Sequence, residues 1–123
     1  MRRRSATLTD QELEIMKLVW EREPATVRDI YEALLATRKV AYTTVMTMMK
    51  ILEEKKYLQK TLVDRAHVYR PVQSKHQVVG GMVKEFVNRV FNGSARTLLV
   101  HLVEDHKLSP KDLKDIAELR RKP

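Results

Sequence analysis

Cysteine is absent from this 123-residue chain. That excludes disulfides, thiolate metal sites and cysteine nucleophiles in one step, and it fits a reducing compartment. Aromatic residues are scarce, with one Trp, two Phe and four Tyr, so a platform for stacking single-stranded bases is not expected. No apolar run approaches the roughly 18–20 residues of a membrane-spanning helix. The N-terminus, MRRRSATLTD, lacks the apolar core of a signal peptide. The expectation is a cytoplasmic protein with no membrane insertion. A Gly-rich phosphate loop, a His-Glu-x-x-His pair and a nucleophile elbow are all missing. The chain therefore reads as a non-enzyme with no catalytic residues, no cofactor and no metal site. His101 and His106 flank Glu104 and Asp105, but the two imidazoles point in different directions on a helix and no third ligand is near in sequence. They read as surface or interface histidines, as do His67 and His76.

What the chain does contain is 43% hydrophobic and 33% charged residues, the balance of a globular protein. The net charge is +8, which favours a polyanionic partner such as nucleic acid. The excess does not locate that partner: 14 basic face 10 acidic side chains before residue 74, and 10 face 6 after it. Arg2, Arg3 and Arg4 form a terminal arm that can touch phosphate, although a charged terminus is usually just solvated.

One stretch organises the rest. Val40 to Lys56 reads VAYTTVMTMMKILEEKK. As a helix it places Ala41, Val45, Met48, Met49 and Leu52 in one apolar sector. The other side presents Thr43, Thr47, Lys50 and Glu54, with Thr44, Met46 and Ile51 along its margins. Near its start this outer face holds hydroxyls and a methionine where a surface helix ordinarily carries Glu and Lys. Such side chains make polar and methyl contacts with base edges in a major groove. Alone, the stretch fits a helix buried on nearly all sides equally well, so the flanks have to decide.

Before it, Thr9 and Glu12 have capping-box spacing, with Leu8 and Leu13 placed as a hydrophobic staple. The helix they open should bury Leu13, Met16, Val19 and Trp20 and stop ahead of Pro24. Ala25-Thr26-Val27 can supply a single bridge of strand. Thr26 and Asp29 then open a second helix of about ten residues, ending around Thr37 to Lys39, with Val27, Ile30, Leu34 and Tyr31 as inward candidates. After Lys56 the period changes from 3.6 to 2. Tyr57–Val63 and His67–Val72 read as strands around an Asp64-Arg65-Ala66 tip. Three helices followed by a β-hairpin is the order of a winged helix-turn-helix, in which the third helix enters the major groove. The fold class is α+β, with a DNA-binding domain over residues 7–73. Lys39, Lys50, Lys55, Lys56, Lys60, Arg65 and Arg70 are the basic residues near its presumed DNA face. Arg65, at the wing tip, is the best placed for phosphate or minor groove.

From Ser74 the pattern is helical again. Ser74 and Gln77 cap a helix carrying Val78, Val79, Met82, Val83, Phe86, Val87, Val90 and Phe91, and Asn92-Gly93 ends it. Gly80-Gly81 costs about 2 kcal/mol against two alanines in a helix interior, unless a close backbone repays it or the helix starts later. Ser94 caps a further helix, and Leu108-Ser109-Pro110 begins the last. Three short helices cannot enclose so many apolar side chains within one subunit. Residues 74–121 therefore read as an all-α dimerisation domain holding a homodimer through Val83, Phe86, Val90, Leu98, Leu102 and Leu113. The alternative is that these helices fold back on the first domain.

AYTTV at the third helix, DRAHVY in the wing and NGSARTLLVHLVE in the tail together resemble the penicillinase-repressor family of bacteria (the BlaI/MecI type), over Leu8 to Leu119. The resemblance implies a transcriptional repressor that occupies a palindromic, double-stranded operator as a homodimer. It also implies DNA contacts at Thr43, Thr44, Met46 and Thr47, with Lys50 at the margin and Arg65 on the wing. Some members carry Lys and Arg where this chain has Thr43 and Met46. Inducible members are inactivated when a membrane sensor-protease triggers cleavage of an Asn-Phe bond in the second tail helix; the corresponding bond here is His101-Leu102. A copper-responsive relative uses a C-terminal cysteine cluster that this chain does not have. A winged-helix module for protein interaction, without sequence-specific DNA binding, is the alternative reading. The basic charge and the acid-free start of the third helix favour DNA.

Overall fold

The first helix begins where two side chains satisfy otherwise orphaned backbone donors. The Glu12 N–H donates to Thr9 Oγ1 at 3.1 Å, and the Thr9 N–H donates to Glu12 Oε1 at 2.9 Å. In the computed structural model, which describes residues 7–121, helix α1 runs Asp10–Arg22 and gives way to extended backbone at Glu23. The terminal arm with Arg2, Arg3 and Arg4 lies outside the described residues. Thr26 and Asp29 repeat the same reciprocal cap for α2 (Val27–Leu35). Helix α3 is Tyr42–Glu54, followed by β1 (Leu58–Val63) and β2 (Ala66–Pro71), then α4 (Lys75–Phe91), α5 (Ala95–Glu104) and α6 (Pro110–Arg121). The strands pair antiparallel, from Leu58 opposite Pro71 to Val63 opposite Ala66. Ala25 adds the expected single bridge, exchanging backbone hydrogen bonds of 3.0 and 2.8 Å with Tyr69. This is the α+β, winged-helix order read from the sequence.

Helices α1, α2 and α3 pack on one another, α1 also against β2 and α3 against β1. Ile15, Met16, Val19, Ile30, Leu34, Val45, Met49, Leu52 and Leu58 are fully buried among them. Met16 and Val19 of α1 are buried as expected, Ile15 joins them, and Leu13 and Trp20 are only half-buried. Glu12 is also turned inward and only 5% exposed. Its Oε1 also accepts from Lys55 Nζ at 2.8 Å, and Lys55 Nζ donates again to the Thr7 carbonyl at 3.0 Å. On α3, Val45, Met49 and Leu52 are buried as expected, but Met48 is half-buried and Ala41 exposed. Helix α2 stops at Leu35, short of the expected end, and the Thr37 hydroxyl caps it by donating to the Leu34 carbonyl at 3.0 Å.

The wing tip is tighter than expected. It has two residues, Asp64 and Arg65, and Ala66 already pairs in β2. Both tip residues have positive φ, 48° and 69°, as a type I′ turn requires, without the glycine that usually supplies it.

The chain divides into two compact units, one ending at Val78 and one starting at Val79, inside α4. Ser74 and Gln77 cap α4 reciprocally, and the helix runs unbroken through Gly80 and Gly81. A later start at the glycines is therefore excluded. Nothing lies within 4 Å of where a Cβ at either glycine would sit. Asn92 and Gly93, at φ of 52° and 86°, close α4 as expected. In the second unit, Val87 is the one buried side chain among the described residues, while Val83, Phe86, Val90, Leu99, Val100, Ile116 and Leu119 are exposed.

Candidate nucleic-acid interface

Burying Val45, Met49 and Leu52 fixes which side of α3 faces water, because side chains three and four apart share a face. Thr43, Thr44, Met46, Thr47 and Lys50 are all exposed, as the sequence pattern placed them. Helix α3 starts differently from α1 and α2. Its N-cap is Ala41, with no side-chain cap bond, and its first turn holds no acidic residue. An uncapped, acid-free helix start carries partial positive charge that suits an approaching anion. On one side of this face, a shallow groove runs towards the start of α1, lined by Gln11, Thr44 and Met48. A second groove is lined by Met46 and Lys50 of α3 and by Lys60 and His67 of the hairpin.

Two long-range ion pairs set the attitude of α3. The buried Lys55–Glu12 pair ties its C-terminus to the first turn of α1. Burial would by itself raise the Glu12 carboxyl; the hydrogen bonds from Lys55 and from the Thr9 backbone outweigh it and hold the group below the usual carboxylate range. The Arg38 guanidinium meets Glu14 with contacts of 2.8 and 3.5 Å, fastening the α2–α3 turn to α1. At about 40% exposure this second pair is worth well under the buried one. Tyr69, in β2 of the wing, is buried, and its hydroxyl is pushed up chiefly by that burial.

The basic residues near the interface separate accordingly. Lys55 is not available to DNA, because its ammonium is committed to Glu12 and Thr7. Lys60 leans on Glu53 at 3.7 Å, and Arg70 donates to the Thr61 hydroxyl at 3.2 Å. Among the described residues, Lys39, Lys50, Lys56 and Arg65 make no side-chain hydrogen bond or ion pair and stay exposed. Sequence reasoning missed Arg28, which stands at the start of α2 over the Tyr42 ring, 5.7 Å from its centroid. The available signal was a basic residue in a helix's first turn, where acidic ones are favoured. His101 and His106 gather no metal site: among the described residues, no group of three His, Asp or Glu side chains is placed to hold an ion.

The sequence profile of the penicillinase repressor family matches residues 8–122. The chain belongs to that family. Among its relatives, the transcriptional regulator BlaI of Mycobacterium tuberculosis is 43% identical over 99 residues, covering 79% of this chain and 72% of that protein. The penicillinase repressor of Bacillus licheniformis is 24% identical over 112 residues, covering 91% and 88%. Among solved structures, the monomeric form of Bacillus licheniformis BlaI in complex with the blaP half-operator matches with a TM-score of 0.51 and 27% identity, over 57% of this chain and 85% of that one. The DNA-binding domain of the repressor BlaI matches with a TM-score of 0.52 and 26% identity, over 60% of this chain and 90% of that one. As a member of that family, the chain is a winged-helix, DNA-binding transcriptional regulator. No described helix is long and apolar enough to cross a membrane.

Proposed function

We propose that this repressor occupies a palindromic double-stranded operator as a homodimer, with α3 of each copy in the major groove and each wing on the backbone. The observation that carries the reading is the split character of α3: Val45, Met49 and Leu52 are buried, while Thr43, Thr44, Met46 and Thr47 stand exposed beside an acid-free helix start. In this reading those four residues meet base edges, and Lys50 and Arg65 hold the backbone. The homodimer rests on the second unit, whose Val83, Phe86 and Val90 are 51%, 41% and 50% exposed. Leu98, Leu102 and Leu113, half-buried in the single chain, complete the pairing surface. Repression works by binding in the cytoplasm and needs no catalytic group, cofactor or membrane insertion.

Derepression by proteolysis, triggered through a membrane sensor-protease, would fall at His101-Leu102. That bond lies within α5, with the His101 ring 5.4 Å from that of Phe91 and Leu102 half-buried. Cutting there separates Leu98 from Leu102 and from all of α6, so the pairing surface is lost while the wing stays intact. Mass spectrometry of the repressor recovered from induced cells tests this step; intact chains would exclude it. The DNA reading is tested by Thr44→Ala, which should cost about 1–3 kcal/mol on a duplex enriched from a random pool and little on the unselected pool. Equal losses on both would contradict base reading by Thr44.

A further inference from the structure

The groove between α3 and the wing is lined by more than the residues proposed to read bases. Arg28 at the start of α2 and Tyr42 at the start of α3 line it together with Met46, Lys50, Lys60 and His67. Arg28 is the second residue of α2. A cation there faces the positive end of its own helix, the placement the macrodipole disfavours. Its one acidic contact is weak: Glu32 lies at 3.5 Å, and both side chains are more than 60% exposed. That pair also has the basic residue N-terminal to the acid, the poorer order on a helix. Helix stability therefore does not explain an arginine at this position.

What the structure supplies instead is a support. The guanidinium lies 5.7 Å from the Tyr42 ring centroid, within cation–π range. Tyr42 is itself held edge-on by Tyr31, at 5.3 Å between centroids and 80° between planes. The planar fork of Arg28 is thus pre-positioned at a groove that two other cations, Lys50 and Lys60, also line. A guanidinium fork matches phosphate oxygens, and an open groove bordered by three cations suits a sugar-phosphate strand. We propose that Arg28 is a positioning residue that clamps one DNA phosphate in this groove, with Tyr42 as its rest, and that it sets docking register without reading bases. The inference rests on the DNA-binding reading above.

The test is a salt titration of affinity for the full-length protein on two probes, an unselected random-sequence duplex and a duplex enriched from that pool. Wild type, Arg28→Ala, Arg28→Lys and Arg22→Ala are compared, with thermal unfolding as a folding control. Arg22→Ala serves as a charge control at the end of α1, where Arg22 pairs with Glu21. Each phosphate contact contributes about 0.9 to the slope of log affinity against log salt. Arg28→Ala should flatten that slope by about 0.9 for each copy bound, equally on both probes. Arg28→Lys should restore the slope, and Arg22→Ala should leave it unchanged. A steep wild-type slope that Arg28→Ala does not alter overturns the phosphate clamp while leaving DNA binding intact. A loss confined to the enriched duplex, at constant slope, overturns it in favour of base reading. A flat slope for the wild type overturns the DNA reading itself.

Discussion

The two units of this repressor handle the same kind of side chain in opposite ways. The first buries its large aliphatic residues around α1, α2, α3 and the wing, down to no exposure at Met16, Val19, Ile30, Val45, Met49 and Leu52. The second carries comparable residues on α4, α5 and α6 and, among the described residues, buries only Val87, leaving the others half-buried or exposed, with Leu119 71% and Ile116 52% exposed. Soluble monomers do not ordinarily present such a set on so short a segment. The difference is what the proposed homodimer predicts: the first unit closes its own core, and the second leaves apolar side chains for a second copy to cover.

Cutting the chain after Val78 should have the largest effect. The remaining fragment should stay folded and monomeric in sedimentation. It should lose about 10²–10⁴-fold in affinity on a duplex with two inverted half-sites, and little on a single half-site. A smaller effect separates the two kinds of burial. Leu52→Ala should cost about 2–5 kcal/mol in denaturant unfolding at any protein concentration. Phe86→Asp should act on the monomer–dimer equilibrium instead, so that its effect shrinks as concentration rises.

Next in size is the pair that orients α3. Glu12→Gln should cost about 1–3 kcal/mol at neutral pH, since it weakens a buried charge-assisted contact to Lys55. The Glu12 carboxyl is held below its ordinary value of 4.5. Its contribution is therefore fully present above that value and is lost as pH falls through the lower, folded one. The acid limb of a stability–pH curve should be flatter in Glu12→Gln than in wild type. The smallest effect concerns Gly80, which has open space around it in the single chain. Gly80→Ala should raise helix stability by about 1 kcal/mol in thermal unfolding. A loss of dimer affinity instead would reveal a partner backbone packed against that glycine.

Much of this architecture was legible because its signals are local. The pairs Thr9/Glu12, Thr26/Asp29 and Ser74/Gln77 announce helix starts three residues apart, and each forms the reciprocal bonds its spacing implies. The switch to period 2 after Lys56 located the wing, and the exposed face of α3 followed from its buried one. What escaped notice depends on residues far apart in the chain. Nothing near Glu12 shows that Lys55, 43 positions away, will meet it in the folded chain. The same pairing removes Lys55 from the DNA-facing cations among which its sequence neighbours placed it. Arg28 was overlooked because only folding sets it over Tyr42. The tight wing tip was missed because neither Asp64 nor Arg65 is the glycine that normally marks positive φ.

The most direct measurement is selection of duplexes from a random pool by the full-length protein, with wild type and Thr44→Ala run in parallel. The account predicts that wild type enriches an inverted repeat whose half-sites lie about one helical turn, or a multiple of it, apart. It also predicts that Thr44→Ala keeps this spacing while relaxing the preference within each half-site. Enrichment of direct repeats or of no sequence at all, or a Thr44→Ala profile identical to wild type, would contradict it.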